Sequence, residues 1–200
     1  MNGKPLLYLG SLIPIVFFGT TFIAGFMQGN YNHLSRMVSE LGTIGTSSQY
    51  VFMAGLLACS ALSVLFVLGL YRVCKAANLS VLPVVLILAF STSIAGAALF
   101  PLPLRLHGIL GSPSMLLILS PVLSLILWRR KEPRHVVSMS VVSFLVMSLG
   151  FLAFMPDVLA EYAGLKQRFF HVGWAVWFGY LSYEFVRMAE RREAMPLRHA

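Results

Sequence analysis

The sequence predicts an all-α polytopic membrane protein: one bundle over residues 1–200, with six transmembrane helices and both termini cytoplasmic. Three observations carry this expectation. Mean hydropathy is +0.82, far above that of a soluble domain. Charged residues make up 11% of the chain and hydrophobic ones 58%, against about 25% charged in ordinary soluble domains. A soluble core of this length cannot hide so much apolar surface, so the solvent is lipid. The apolar runs are also continuous rather than alternating, which selects helices over a barrel.

Six segments are long enough to cross a hydrocarbon core of about 30 Å. They lie near residues 5–27, 50–73, 80–100, 113–128, 136–155 and 169–188. The first runs from Pro5 to Met27, longer than a signal-peptide core, and no small-residue cleavage site follows it. It reads as an uncleaved first span. The second carries both cysteines, Cys59 and Cys74. They lie about 22 Å apart along a helix, too far to bridge, so each reads as a small apolar residue. The third contains STSIAGAA (residues 91–98), a small-residue run that permits close helix packing within the bundle. The fourth is marked by Ser112 as N-cap and Pro113 at the first helical position. Gly108 and Gly111 allow a tight return before it. The cytoplasmic turn WRRKEPR (residues 128–134) precedes the fifth. In the sixth, Trp174 and Trp177 read as interfacial belt residues.

The net charge of +8 comes from 15 Lys and Arg against 7 Asp and Glu. No basic stripe with interleaved aromatics appears, so nucleic acid is not an expected partner. The basic residues set topology instead. Lys4, Arg72, Lys75, Arg129, Arg130, Lys131, Arg134, Arg187, Arg191, Arg192 and Arg198 fall on one side of the predicted spans. Only Arg36, Arg105, Lys166 and Arg168 fall on the other. The bias places both termini in the cytoplasm.

The first, third and fifth loops then face outward, and they hold most of the remaining polar chemistry. In YNHLSRMVSELGTIG (residues 31–45), a short interfacial helix over 31–41 would put His33, Arg36 and Glu40 on one face, with Ser39 slightly aside. Leu34, Met37 and Leu41 would form the opposite stripe. In the third loop, Arg105 and His107 alternate with Leu104 and Leu106 and share a side if the stretch is extended. In the fifth, Asp157 precedes the sixth helix, on which Gln167, His171 and Trp174 share a face and Arg168 neighbours His171. His171 lies deeper than an anchor needs.

The ligand-binding candidates are therefore His33, Arg36, Ser39, Glu40, Arg105, His107, Asp157, Gln167, Arg168 and His171. No catalytic residue and no metal is assigned. If zinc were a cofactor, His33, His107 and His171 with Asp157 or Glu40 would be a chemically adequate donor set, although no HxxxH pair is present.

Three stretches carry a resemblance: SELGTIG after the first helix, LFPLPLRLHGILGSPS after the third, and GLKQRFFHVGWAVW entering the sixth. The chain resembles the family of unknown function numbered 998, small prokaryotic six-helix membrane proteins. The matching elements are Ser39-Glu40-Leu41-Gly42, Phe100-Pro101, His107, Gly164-Leu165, Gln167-Arg168 and Trp174. The resemblance implies a six-helix bundle in a prokaryotic cytoplasmic membrane, with no catalytic residue to carry over. In residue types alone there is a more distant likeness to membrane hydrolases of the alkaline ceramidase and adiponectin-receptor kind. Those have seven helices and an HxxxH pair, and this chain has neither.

The expected role is a membrane protein whose outer polar mouth binds a lipid headgroup or small amphiphile. The alternatives are a membrane-embedded enzyme, with or without metal, acting on a lipid or isoprenoid, and a transporter or transport subunit. Beyond the lipid bilayer no partner is named, and the oligomeric state is left open.

Overall fold

The computed structural model describes residues 4–128 and 135–194, and no strand occurs among them. The helices are α1 (Lys4–Met27), α2 (Gln49–Ala76), α3 (Leu82–Leu99), α4 (Arg105–Gly111), α5 (Leu119–Leu127), α6 (His135–Leu149) and α7 (Ala163–Ala194). Ser112–Ile118 winds as a 3₁₀ segment joining α4 to α5, and Gly150–Phe154 extends α6 in the same way. Five of these rods are long and apolar enough to cross a membrane: α1, α2, α3, the combined 105–127 and the combined 136–154.

The exception is α7. It is the longest helix, at 32 residues, or about 48 Å of rise. It carries charge at both ends, from Lys166 and Arg168 to Arg191 and Arg192. Most of its large apolar residues face inward. Trp174, Trp177, Phe178, Leu181 and Phe185 are all buried, at the three- and four-residue spacing of a buried helical stripe. α1 packs on α2, α2 on α3, α3 on α4 and α5, α5 on α6 and α6 on α7, and α7 returns onto α1.

Several expectations are corrected here. Trp174 and Trp177 are interior residues, not a belt: their exposures are 1% and 0%. The Trp177 indole donates to Ser120 Oγ at 2.9 Å, and Ser120 Oγ donates to the Pro83 carbonyl at 2.9 Å. The fourth span starts at Arg105 rather than 113, so Ser112 is not an N-cap. It has helical angles in mid-rod, and its hydroxyl donates back to the Gly108 carbonyl. Gly108 and Gly111 lie within α4, and the return is made by residues 100–104. Because α4 is helical, Arg105 and His107 diverge: Arg105 is exposed and His107 half-buried. The expected helix over 31–41 is a tight turn followed by a 3₁₀ segment, Val38–Gly42. Most of the turn WRRKEPR lies outside the described residues, as does Arg198.

Buried serines join the helices without a hydrophobic force between them. Ser60 Oγ on α2 donates to the Ser91 carbonyl on α3 at 2.8 Å, and Ser91 Oγ lies 2.6 Å from Ser63 Oγ. The small-residue run acts within the bundle: a Cβ at Gly96 would fall 2.7 Å from Leu110 Cβ, so α4 approaches α3 closely only because Gly96 has none. Cys59 and Cys74 are both free and buried.

Candidate functional site

The three loops expected on one face do meet. Ile44 N–H donates to the Leu102 carbonyl at 2.9 Å, joining loops one and three. Leu165 N–H donates to the Leu34 carbonyl at 2.8 Å, joining loop one to the start of α7. The sequence candidates then sort into two separate groups.

The first group is a structural clamp. The Arg168 guanidinium donates through Nη1 to the carbonyls of Arg36 (3.1 Å) and Gly164 (3.0 Å). Its Nη2 donates to Tyr31 Oη at 3.1 Å and to His33 Nδ1 at 3.0 Å. Arginine has donors only, so His33 Nδ1 accepts and its proton sits on Nε2. The Tyr31 hydroxyl lies within donating distance of the Arg36 and Met37 carbonyls, at 3.0 and 2.8 Å. Burial, and then the Arg168 charge, hold His33 below its ordinary pKa range, while burial holds Tyr31 above its own.

Arg36 and Glu40 pair with each other: Arg36 Nε donates to Glu40 Oε2 at 2.9 Å, and Arg36 Nη1 to Gln28 Oε1 at 3.2 Å. The other Glu40 oxygen accepts from Met37 N–H at 2.8 Å, which starts the 3₁₀ segment. Gly164 permits the approach of loop one. A Cβ there would collide with the Arg36 carbonyl oxygen and lie 2.7 Å from that of His33.

The second group lines a cavity. Ser39, His107, Gln167 and His171 converge on a space of about 230 Å³ whose apolar walls include Phe17, Phe52, Leu56 and Ile94. A second lobe of about 220 Å³ shares Gln167 and His171 with the first and extends among Phe90, Phe154 and Phe170. Gln167 Oε1 accepts from Val38 N–H at 2.6 Å. That bond fixes the amide, so its NH₂ is the end left to donate. His107 Nδ1 lies 3.0 Å from the Ala97 carbonyl oxygen and 3.1 Å from that of Phe100. The Trp174 indole donates to His171 Nδ1 at 3.1 Å, as their shared face predicted.

Arg105 and Asp157 join neither group; both are exposed. His33 sits in the clamp, so the three histidines do not meet. Among the described residues no group of three His, Cys, Asp or Glu is arranged to hold a metal.

Residues 11–183 match the family described as Protein of unknown function (DUF998). The chain belongs to this family. No curated protein and no solved structure matches this DUF998 chain. Sequence reasoning missed two residues that hold its loops. Lys166 is 2% exposed and donates to the Met155 and Val158 carbonyls at 3.0 and 2.8 Å. Ser93 on α3 bonds the far side of the cavity wall: its hydroxyl is within reach of the Leu110 and Gly111 carbonyls and accepts from Ser114 N–H at 2.9 Å. The one sequence signal for Ser93 was Pro113, whose missing N–H leaves a helical carbonyl unserved.

Proposed function

We propose that this chain is a six-pass protein of a prokaryotic cytoplasmic membrane, with both termini inside, that binds a small amphiphile in the cavity at its outer end. One observation carries the reading: a two-lobed, mostly apolar cavity in which Ser39, His107, Gln167 and His171 are among the few polar groups. Apolar walls with a few convergent polar groups are the usual form of a ligand site. Each lobe is a little smaller than the roughly 300 Å³ at which such sites begin, and the two share Gln167 and His171 in their walls.

The catalytic alternative would use the same imidazoles. Glu40 is paired to Arg36 and Asp157 is exposed, so neither orients a cavity histidine, which favours binding over acid–base chemistry.

Native mass spectrometry of the full chain in mild detergent tests the binding reading. It should retain one amphiphile, and Ala97→Leu, which adds bulk to the cavity wall, should release it. A chain that keeps no amphiphile sinks the proposal. Orientation is read separately with a membrane-impermeant thiol reagent on intact cells. Asp157→Cys should label and Lys75→Cys should not.

A further inference from the structure

The charges expected at the outer mouth are elsewhere, and this defines what the cavity takes. Among the described residues, no Asp, Glu, Lys or Arg lines either lobe. Arg36 is engaged by Glu40 and Gln28, Arg168 by loop one, and Lys166 by two carbonyls. A phosphate or carboxylate entering here would lose its water with no cation to replace it.

The two imidazoles at the first lobe are held in opposite tautomers. His107 Nδ1 faces two carbonyl oxygens, which can only accept. That nitrogen therefore carries the proton, and Nε2 of the neutral ring is an acceptor. His171 is the reverse. An indole N–H can only donate, so His171 Nδ1 accepts from Trp174 and the proton sits on Nε2. That Nε2 is buried and has no partner among the described residues, and a buried donor left unpaired is costly. The two imidazoles thus offer one donor, on His171, and one acceptor, on His107.

We infer that the cavity binds a neutral long-chain alcohol. Its hydroxyl accepts from His171 Nε2–H and donates to His107 Nε2, and its chain lies in the second lobe among Phe90, Phe154 and Phe170. A hydroxyl is the simplest head that gives and takes a bond at once. This rests on the amphiphile-binding reading and deepens it.

The test is a ligand series on the unaltered full chain in detergent. It comprises a linear isoprenoid alcohol, its methyl ether, its monophosphate, and a diacylglycerol, with retention read by native mass spectrometry and by tryptophan fluorescence. The free alcohol should bind roughly tenfold tighter than the ether, which cannot donate, and the monophosphate should bind most weakly. Whichever of the isoprenol and the diacylglycerol binds tighter identifies the source of the hydroxyl. Ether or monophosphate binding as tightly as the alcohol overturns the head-group assignment but leaves amphiphile binding intact. Retention of none of the four, nor of any co-purified lipid, overturns the underlying reading as well. His107→Phe, which removes the acceptor that only the alcohol can use, should bring alcohol and ether to equal affinity. The series on the unaltered chain decides the question even where that variant does not fold.

Discussion

Replacing Arg168 separates the clamp from the cavity. The guanidinium donates four hydrogen bonds, to the Arg36 and Gly164 carbonyls, Tyr31 Oη and His33 Nδ1. Bonds to a charged donor contribute about 1.5–3 kcal/mol each, but the acceptors are not all orphaned when it goes. The Arg36 carbonyl keeps the Tyr31 hydroxyl, and the Gly164 carbonyl keeps its place in the α7 ladder. His33 Nδ1 and Tyr31 Oη each lose the donor that Arg168 gives them. Arg168→Met, which retains the apolar stem, should therefore cost about 2–4 kcal/mol rather than the full sum. For a chain of this size that lowers Tm by about 5–15 °C, measurable by thermal unfolding in detergent. Arg168→Lys keeps the charge but not the planar fork, and should recover less than half of the loss. Alcohol or lipid retention at low temperature should survive in both variants. A Met variant of unchanged Tm that has lost its ligand would refute the clamp and restore Arg168 as an anion-reading residue.

Three further outcomes follow from the same contacts. Gly164→Ala places a Cβ against the Arg36 and His33 carbonyls and should destabilise by about 1–3 kcal/mol, read as a Tm loss similar in kind to that of Arg168→Met; an unchanged Tm would mean that loop one yields freely. His33 is held below its ordinary pKa of 6.5, so the unfolded chain takes up the proton first as pH falls. Stability contributed by neutral His33 is complete above that value and declines below it; between about pH 7 and 5, Tm should fall more steeply for the native chain than for His33→Gln, and parallel slopes would contradict the assignment. Lys166→Met removes the donor from the Met155 and Val158 carbonyls and should raise hydrogen exchange across residues 155–162 while leaving that of α1 and α2 unchanged.

The helices were legible because lipid imposes a simple rule on sequence. A span must be continuous, apolar and about 20 residues long, and α1, α2 and α3 obey it to within a few residues at each end. α7 was placed as a span, but its role as the interior helix was not legible, since Trp174 and Trp177 suit an interface by type and only packing tells them apart from core. The convergence of the odd-numbered loops followed from alternation of the spans. Which loop residues face the cavity did not follow, because Arg36, Glu40 and Arg168 are as well suited to one another as to a ligand. A sequence counts charges on a side; it does not show that they already have partners. Ser39, His107, Gln167 and His171 were all named, yet their grouping depends on the packing that brings α4 and α7 to one cavity.

The position of the cavity follows from a conflict inside the 105–127 rod. Pro113 has no N–H to give and crowds the turn before it, so α-helical bonding lapses and the backbone tightens into 3₁₀ winding over Ser112–Ile118. Seven residues then rise about 14 Å instead of about 10.5 Å on a narrower coil, which draws side chains back from the bundle centre. In lipid the bonds so freed need donors from neighbours, and Ser93, Ser112 and Ser114 supply hydroxyls to the Leu110, Gly111 and Gly108 carbonyls. Gly150–Phe154 tightens in the same manner across the space, and both segments line the second lobe. Two backbone distortions, each stabilised by specific contacts or close packing, thus hold the walls apart. A bundle under pressure only to pack would replace Pro113 and close the gap with larger side chains. That this chain has the distortion, and beside it a buried imidazole donor with no partner among the described residues, is the physical case for a ligand in the space between.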